Sequence, residues 1–288
     1  MQDFSITMQI CLSYAIASII NNISNKHLIS SYKFPAFFLL FNQQLLVLLA
    51  LPLSKVKIST RVFIKTIPLG LMFLGNLGLG LLGMRYVNLP MYVCIRKTTT
   101  MVVYMINILQ YKKHSFGISL GVLFITLGGF VAGIADITAD YLGYAIVFGS
   151  VLMNAAQLVY ANWLSEYGFD TLSIFFSSSM TVIPLSWVLS WSFEGGIGVG
   201  YKLATWNDAI LGVLIGCGSS ALANFLMVLC ATKVSPMATS VTGNMKDICS
   251  MIIGLLVFSD AQLTGPFACG LVLSTLGAGI YSCSKIYA

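Results

Sequence analysis

The sequence predicts an all-α integral membrane protein, with ten transmembrane helices in two inverted five-helix repeats. Three observations predict it. Of the 288 residues 58% are hydrophobic and only 8% charged, against roughly a quarter charged in an average soluble domain; mean hydropathy is +0.90. A soluble fold of this length cannot hide so much apolar surface. Apolar stretches near the length a bilayer core demands, about 20 residues, follow one another from end to end and leave no room for a separate soluble domain. Short motifs from the first half return in the second, in the same order.

The spans fall in order. The first, 5–24, lies in "MQDFSITMQICLSYAIASII", which has no basic start and carries Asp3 as its earliest charge, so it reads as a membrane helix and not a signal peptide. "SSYKFP" separates it from 34–53, and "SKVKISTR" leads into 63–84. The glycines of "LGNLGLGLLG" in that third span serve close helix packing, since no strand precedes them to build a phosphate loop. "YVNLP" opens 89–110, "YKKHS" opens 115–134, and "ADITAD" divides the halves before 140–163. "SEYGFD", "FEGGIGVGYK", "KVSP" and "SDAQLTGP" then set off 171–191, 208–230, 236–257 and 265–284.

The repeat divides the chain at 1–134 and 135–288. "RYVNLPMYV" before the fourth span parallels "TKVSPMATS" before the ninth, "GVLFITLGGFVAG" (121–133) parallels "GLVLSTLGAGIYS" (270–282), and "YAI" recurs at 14–16 and 144–146. Five spans per half is an odd number, so the second half is inverted in the membrane, an arrangement of transporters whose site lies at the repeat interface.

Loop charge orients the chain. With a cytosolic N-terminus, the cytosolic side holds Lys55, Lys57, Arg61, Lys65, Lys112, Lys113, Lys233 and Lys285, against Lys26, Lys33, Arg85 and Lys202 opposite. Eight against four predicts both termini in the cytosol. The net charge of +6 sits in loops or singly in helices and is no nucleic-acid signature. The seven cysteines lie in apolar segments without C-x-x-C spacing and read as small buried hydrophobes; His27 and His114 are isolated, so neither metal nor cofactor is expected. No nucleophile–base pair or Walker sequence occurs, which argues against an enzyme.

Arg96, Lys97 and Lys246 belong to no loop. The first two follow Pro90 by six and seven residues, and Lys246 follows Pro236 by ten. These offsets put them roughly 9–15 Å into their helices. A charge at that depth costs at least about 2.5–3.5 kcal/mol and marks a polar cavity. The fourth and ninth helices are equivalent in the two halves, so their cations converge on one site with a preference for a multiply charged anion: Arg grips phosphate oxygens bidentately, Lys acts as a point charge. The competing expectation is structural pairing. Asp247 is the only deep acid. Because adjacent helix residues do not face each other, its expected partner is Arg96 or Lys97 rather than Lys246. Small polar residues flank these cations: Gly243 and Asn244 in the ninth helix, Thr98 to Thr100 in the fourth, Tyr14, Asn21, Asn22 and Asn25 in the first, Asn154 and Gln157 in the sixth, and Ser219, Ser220 and Asn224 in the eighth.

These residues resemble nucleotide-sugar transporters of the drug/metabolite transporter superfamily over nearly the whole chain. "LSYAIASIINNISNK" is similar to that family's first helix, with Tyr14 and the pair Asn25–Lys26 in place. "LPMYVCIRKTTTM" resembles the fourth helix of the UDP-sugar branch, "LGYAIVFGSVLMNAAQLVYANWL" the sixth, and "TSVTGNMKDI" the ninth, with Gly then Lys three later. The GDP-mannose branch has one more residue between that Gly and Lys. Two places depart from the pattern: "FFSSS" (175–179) replaces an aromatic–Asn motif that bears on the base, and Asp247 stands where the UDP-sugar branch often has Asn. Lys-Asp at 246–247 also differs from the Lys-Arg pair of the related phosphate translocators.

The resemblance implies an antiporter of the Golgi membrane, with the endoplasmic reticulum as the alternative. It would exchange a cytosolic nucleotide sugar, UDP-linked, for a lumenal nucleoside monophosphate. The substrate-binding set it implies is Tyr14, Asn25, Lys26, Arg96, Lys97, Asn154, Ser220, Asn224, Gly243, Asn244 and Lys246. A homodimer is left open. The alternatives are a GDP-sugar transporter, an organic-phosphate translocator, a proton-coupled metabolite exporter using Asp247, and a non-transporting membrane receptor or scaffold.

Overall fold

The computed structural model describes residues 2–31, 35–54, 56, 58–87, 89–110, 115–134, 141–194, 206–257 and 265–286. The loop cations Lys33, Lys55, Lys57, Lys112, Lys113 and Lys202, His114, and the side chains of Lys26 and Lys285 lie outside the described residues.

The described residues form helices α1 (Gln2–Ser31), α2 (Ala36–Ser54), α3 (Thr60–Tyr86), α4 (Leu89–Lys97), α5 (Thr99–Leu109), α6 (Phe116–Ile134), α7 (Tyr141–Glu166), α8 (Thr171–Glu194), α9 (Trp206–Lys233), α10 (Pro236–Val257) and α11 (Gly265–Ile286). Among the described residues six helices hold a segment long and apolar enough to cross a membrane: Ile6–Asn25, Thr60–Tyr86, Phe116–Gly133, Tyr141–Glu166, Thr171–Glu194 and Leu214–Lys233; Ala36–Pro52 and Ala268–Ser284 are shorter apolar helices.

Two elements differ from the sequence reading. The first helix runs past residue 24 to Ser31. "NNISNK" contains no Gly or Pro to stop it, and Asn21 and Asn25 are buried against other helices and bonded to each other. The stretch 89–110 is two helices broken at Thr98. There Thr98 Oγ1 donates to Ile95 O at 2.6 Å, and Thr98 N also turns back to Ile95 O at 3.1 Å. A threonine hydroxyl competing for a backbone carbonyl in this way interrupts a helix ladder.

Among the described residues the surface is largely apolar, and the interior combines apolar clusters with many buried polar side chains. Met8, Leu12, Ile16 and Ile20 form an exposed stripe along α1, while Asn21, Asn25, Gln43, Gln44, Asn76, Asn154, Gln157 and Asn224 are buried. Lipid, not water, suits such a surface, and buried polar groups then glue helices together. Four cysteines are not exposed, but Cys249, Cys269 and Cys283 are, contrary to the expectation of burial; a thiol is apolar enough to face lipid. Among the described residues no group of three His, Cys, Asp or Glu side chains could hold a metal.

Helix packing follows a crossed pattern: α1 lies along α9 and α3 along α7, α3 packs on α8 as α2 packs on α9, and α6 pairs with α11. The last seam is the closest. A Cβ on Gly121 would sit 2.9 Å from Gly277 O, one on Gly277 2.8 Å from Gly121 O, and one on Gly128 2.6 Å from Gly270 O. Only hydrogen fits at such contacts.

Candidate functional site

Two networks of interior polar residues flank one cavity. On the α1–α2–α9 side, Gln43 Nε2 donates to Asn25 Oδ1 at 2.8 Å, Ser220 Oγ donates to Gln43 Oε1 at 2.9 Å, and Asn224 Nδ2 donates to Ser220 Oγ at 3.2 Å. On the α3–α7 side, Asn76 Nδ2 donates to Asn154 Oδ1 at 3.1 Å and to Gln157 Oε1 at 2.9 Å, while Ser150 Oγ bonds Asn76 O. The first network clamps α9 of the second half to α1 and α2 of the first, and the second clamps α3 of the first half to α7 of the second.

The cavity has two chambers that share lining residues. One is lined by Tyr14, Asn21, Asn25, Asn76, Tyr92, Arg96, Asn224 and Lys246 among others. The second shares Tyr14, Arg96, Met227 and Lys246 with it and adds Thr99, Asn154, Ser240, Gly243, Asn244 and Asp247. Arg96 Nη1 lies 2.8 Å from Tyr92 Oη, with the guanidinium 5.5 Å from that ring's centre. A Cβ on Gly80 would stand 3.1 Å from Tyr92 Oη and 3.6 Å from Arg96 Nη1, so α3 leaves room for both. No described carboxylate lies within 4 Å of Arg96.

Lys246 is buried and its Nζ is 2.9 Å from Asp247 Oδ1. This corrects the expected partner of Asp247. Backbone geometry turns adjacent residues apart, but the four-carbon lysine stem curls along the helix and brings its ammonium to the neighbouring carboxylate. Asp247 Oδ1 also accepts from Asn22 Nδ2 at 3.4 Å, which ties α10 to α1. The Tyr14 ring lies 5.9 Å from Lys246 Nζ, within cation–π range. A Cβ on Gly243 would meet only Tyr14 Oη, at 3.8 Å, so the backbone here is open to the chamber.

Of the residues expected from sequence, Tyr14, Asn25, Arg96, Asn154, Asn224, Gly243, Asn244 and Lys246 line the cavity. Lys97 does not: it is 0% exposed, with Nζ 3.1 Å from Ser274 Oγ in the α6–α11 seam and its stem against Gly129. Ser220 supports Gln43 and Asn224 from behind. Lys26 is in α1, its side chain outside the described ones. The "FFSSS" stretch is buried, Phe175 edge-on to Phe225, and lines neither chamber. Sequence reasoning missed Asn76, Tyr92, Gly80 and Ser240. The sole signal for Asn76 was an amide in an otherwise apolar glycine-rich run. Ser240 shares a 2.7 Å hydrogen bond with Thr100, which also accepts from Asn244 at 2.6 Å, closing α5 against α10 beside the cavity.

No protein-family model matches the chain. By sequence it is similar to the human nucleotide sugar transporter SLC35D2 (Homo sapiens), 29% identical over 86% of this chain and 77% of that protein. It is 25% identical to UDP-galactose/UDP-glucose transporter 7 of Arabidopsis thaliana over 98% of this chain and 90% of that protein. The UDP-N-acetylglucosamine transporter UGNT1 of the same plant is 28% identical over 96% of this chain and 87% of that protein. A solved crystal structure matches with a TM-score of 0.72 over 97% of this chain and 98% of that one; at 14% identity this shows the fold alone. These named relatives are transporters, not enzymes. The chain is a relative of the nucleotide-sugar transporters, and those named for UDP-sugars recur among the proteins it resembles.

Proposed function

We propose that the chain carries nucleotide sugars across a Golgi membrane, taking a cytosolic UDP-sugar in exchange for a lumenal nucleoside monophosphate. The observation that carries this reading is the meeting of Arg96 and Lys246, from α4 and α10, in one polar cavity together with Tyr14. Two cations and one acid in an apolar protein favour an anion of more than one charge, and both proposed ligands present phosphate oxygens there. The asparagines of the walls, Asn25, Asn76 and Asn224, offer both donors and acceptors to a base or ribose. The relatives named above supply the uridine preference.

The architecture that goes with it is two inverted five-helix repeats, 1–134 and 135–288, crossing ten times with both termini cytosolic; α4 and α5 together make one crossing. Three features support it. If the repeats correspond, the α1–α9 contact is the counterpart of α7–α3, as the packing has it. The amide networks sit at those two interfaces. In the motif alignment Gly121 corresponds to Gly270 and Gly128 to Gly277, and the observed contacts Gly121–Gly277 and Gly128–Gly270 exchange under that correspondence.

Reconstituted protein tests the function. Vesicles loaded with UMP should take up UDP-sugars, with external UMP competing better than GMP. Stronger competition by GMP would overturn the uridine preference; no uptake of any nucleotide sugar would overturn transport.

A further inference from the structure

Asp247 raises a question that the binding of phosphate does not answer. A site built to hold an anion has no use for a carboxylate within it, and Asp247 is 5% exposed, bonded to Lys246 at 2.9 Å and lining the same chamber. We infer that Asp247 is a resident counter-anion that occupies Lys246 when the cavity is empty, and that it gives this carrier a second activity: net, uncoupled passage of nucleotide alongside exchange. The inference rests on the proposed nucleotide site.

The physical argument concerns the empty cavity. A transporter must reorient through a state in which its site is closed to both sides. A lysine sealed there alone is an uncompensated buried charge, which is strongly unfavourable. A phosphate relieves it, so a carrier with a bare lysine reorients loaded and exchanges strictly. Here the neutralising group is covalently next to the lysine. Both residues belong to α10, so the pair travels as one body whichever way the helices rock, whereas a partner on another helix would separate from it. Asn22 on α1 contacts the same Asp247 oxygen at 3.4 Å and gives the carboxylate somewhere to turn when a phosphate takes the lysine. Arg96, part-buried with Tyr92 as its neighbour and no described acid within 4 Å, remains to draw the ligand in, and its unneutralised charge keeps the empty return slower than loaded exchange. The same carboxylate opposes the incoming phosphate and weakens binding, so looser affinity and leak arise from one group.

The experiment uses the full chain in liposomes and labelled UMP as the probe, measured into UMP-loaded vesicles and into empty ones. Wild type is expected to show uptake into empty vesicles at a substantial fraction of its exchange rate. Asp247→Asn, with its melting temperature recorded to establish folding, is expected to exchange with a KM about tenfold lower, as removal of one nearby like charge implies. Its uptake into empty vesicles should fall about tenfold relative to exchange. Asp247→Glu should keep the wild-type ratio. A wild type that exchanges but never fills empty vesicles, or an Asp247→Asn protein with an unchanged ratio, overturns the inference while leaving the transport reading intact. Should GMP and not UMP be carried, the same ratios read with GMP decide it, and only the uridine preference falls. If neither nucleotide is carried, both readings fall together.

Discussion

At the scale of single residues, the cavity separates groups that a sequence treats as equivalent. Arg96 and Lys97 are neighbours, yet a helix turns about 100° per residue, so one enters the cavity and the other is sealed against Ser274. Arg96→Ala is therefore expected to abolish exchange with little change in melting temperature, and Lys97→Ala to act mainly on stability; a Lys97→Ala protein that folds normally but has lost nucleotide binding would contradict the placement. Lys246 is different, since it is both a ligand candidate and the partner of Asp247. Lys246→Ala strands the carboxylate and should destabilise by about 3–5 kcal/mol. Adding Asp247→Asn should restore the melting temperature but not transport. Recovery of normal exchange in the double variant would show that the lysine serves only the fold. The adjacency of Lys246 and Asp247 was legible from sequence and their contact was not, because a rule about backbone directions says nothing about a flexible stem.

Among elements, the break between α4 and α5 carries the clearest consequence. The backbone bonds pass from Thr98 N–Ile95 O to Val102 N–Thr98 O across the break, so a new helix starts at Thr99, and the first amides of a helix have no partner within it. Thr99 lines the cavity beside Arg96, is 3% exposed, and its Oγ1 has no protein partner. Free amides at a helix start favour anions. Thr99→Val keeps the shape and removes the hydroxyl; it should raise KM several-fold while melting temperature holds or rises, since an unsatisfied buried hydroxyl is unfavourable. An unchanged KM would take Thr99 out of the site. The sequence displayed three threonines but not the break, because helix periodicity and apolar content continue through 89–110. The α6–α11 seam makes the opposite case, legible as recurring glycines. A side chain at Gly128 would strike Ser274 N at 2.5 Å, a backbone atom that cannot yield. Gly128→Val should cost at least about 1–3 kcal/mol, seen as a lower melting temperature in detergent; wild-type stability would mean the helices stand further apart.

For the whole molecule, hydropathy located the helices because a bilayer permits little else: a spanning segment must satisfy its own backbone, and in an all-helical chain length and apolarity then identify it. What stayed hidden was pairing at long range. Asn76 meets Asn154 and Gln157 from 78 and 81 positions away, and Gln43 meets Ser220 across 177. Nothing local to either partner specifies such a contact; it follows from how two halves of the chain dock. Docking also bears on orientation. At one end of the bundle Glu194, closing α8, accepts from Phe37 N and Phe38 N at 3.1 Å and pairs with Arg85 at 3.4 Å, which joins the start of α2 to the ends of α3 and α8. In the proposed topology this clasp is lumenal, because α2 then enters from the lumen while α3 and α8 arrive there. Lys65, near the start of α3, lies over Tyr167 at 5.9 Å on the opposite face, which is then cytosolic. Two reporters decide between the two orientations. In sealed Golgi-derived vesicles with their cytosolic face outward, a membrane-impermeant thiol reagent should label a cysteine placed at Lys65 and miss one placed at Arg85 until detergent is added, in a background lacking the native cysteines. An epitope after residue 288 should be reached by antibody without detergent. Labelling at Arg85 with protection at Lys65 and residue 288 would invert the topology, and protection of residue 288 alone would break the even number of crossings on which the two five-helix halves depend.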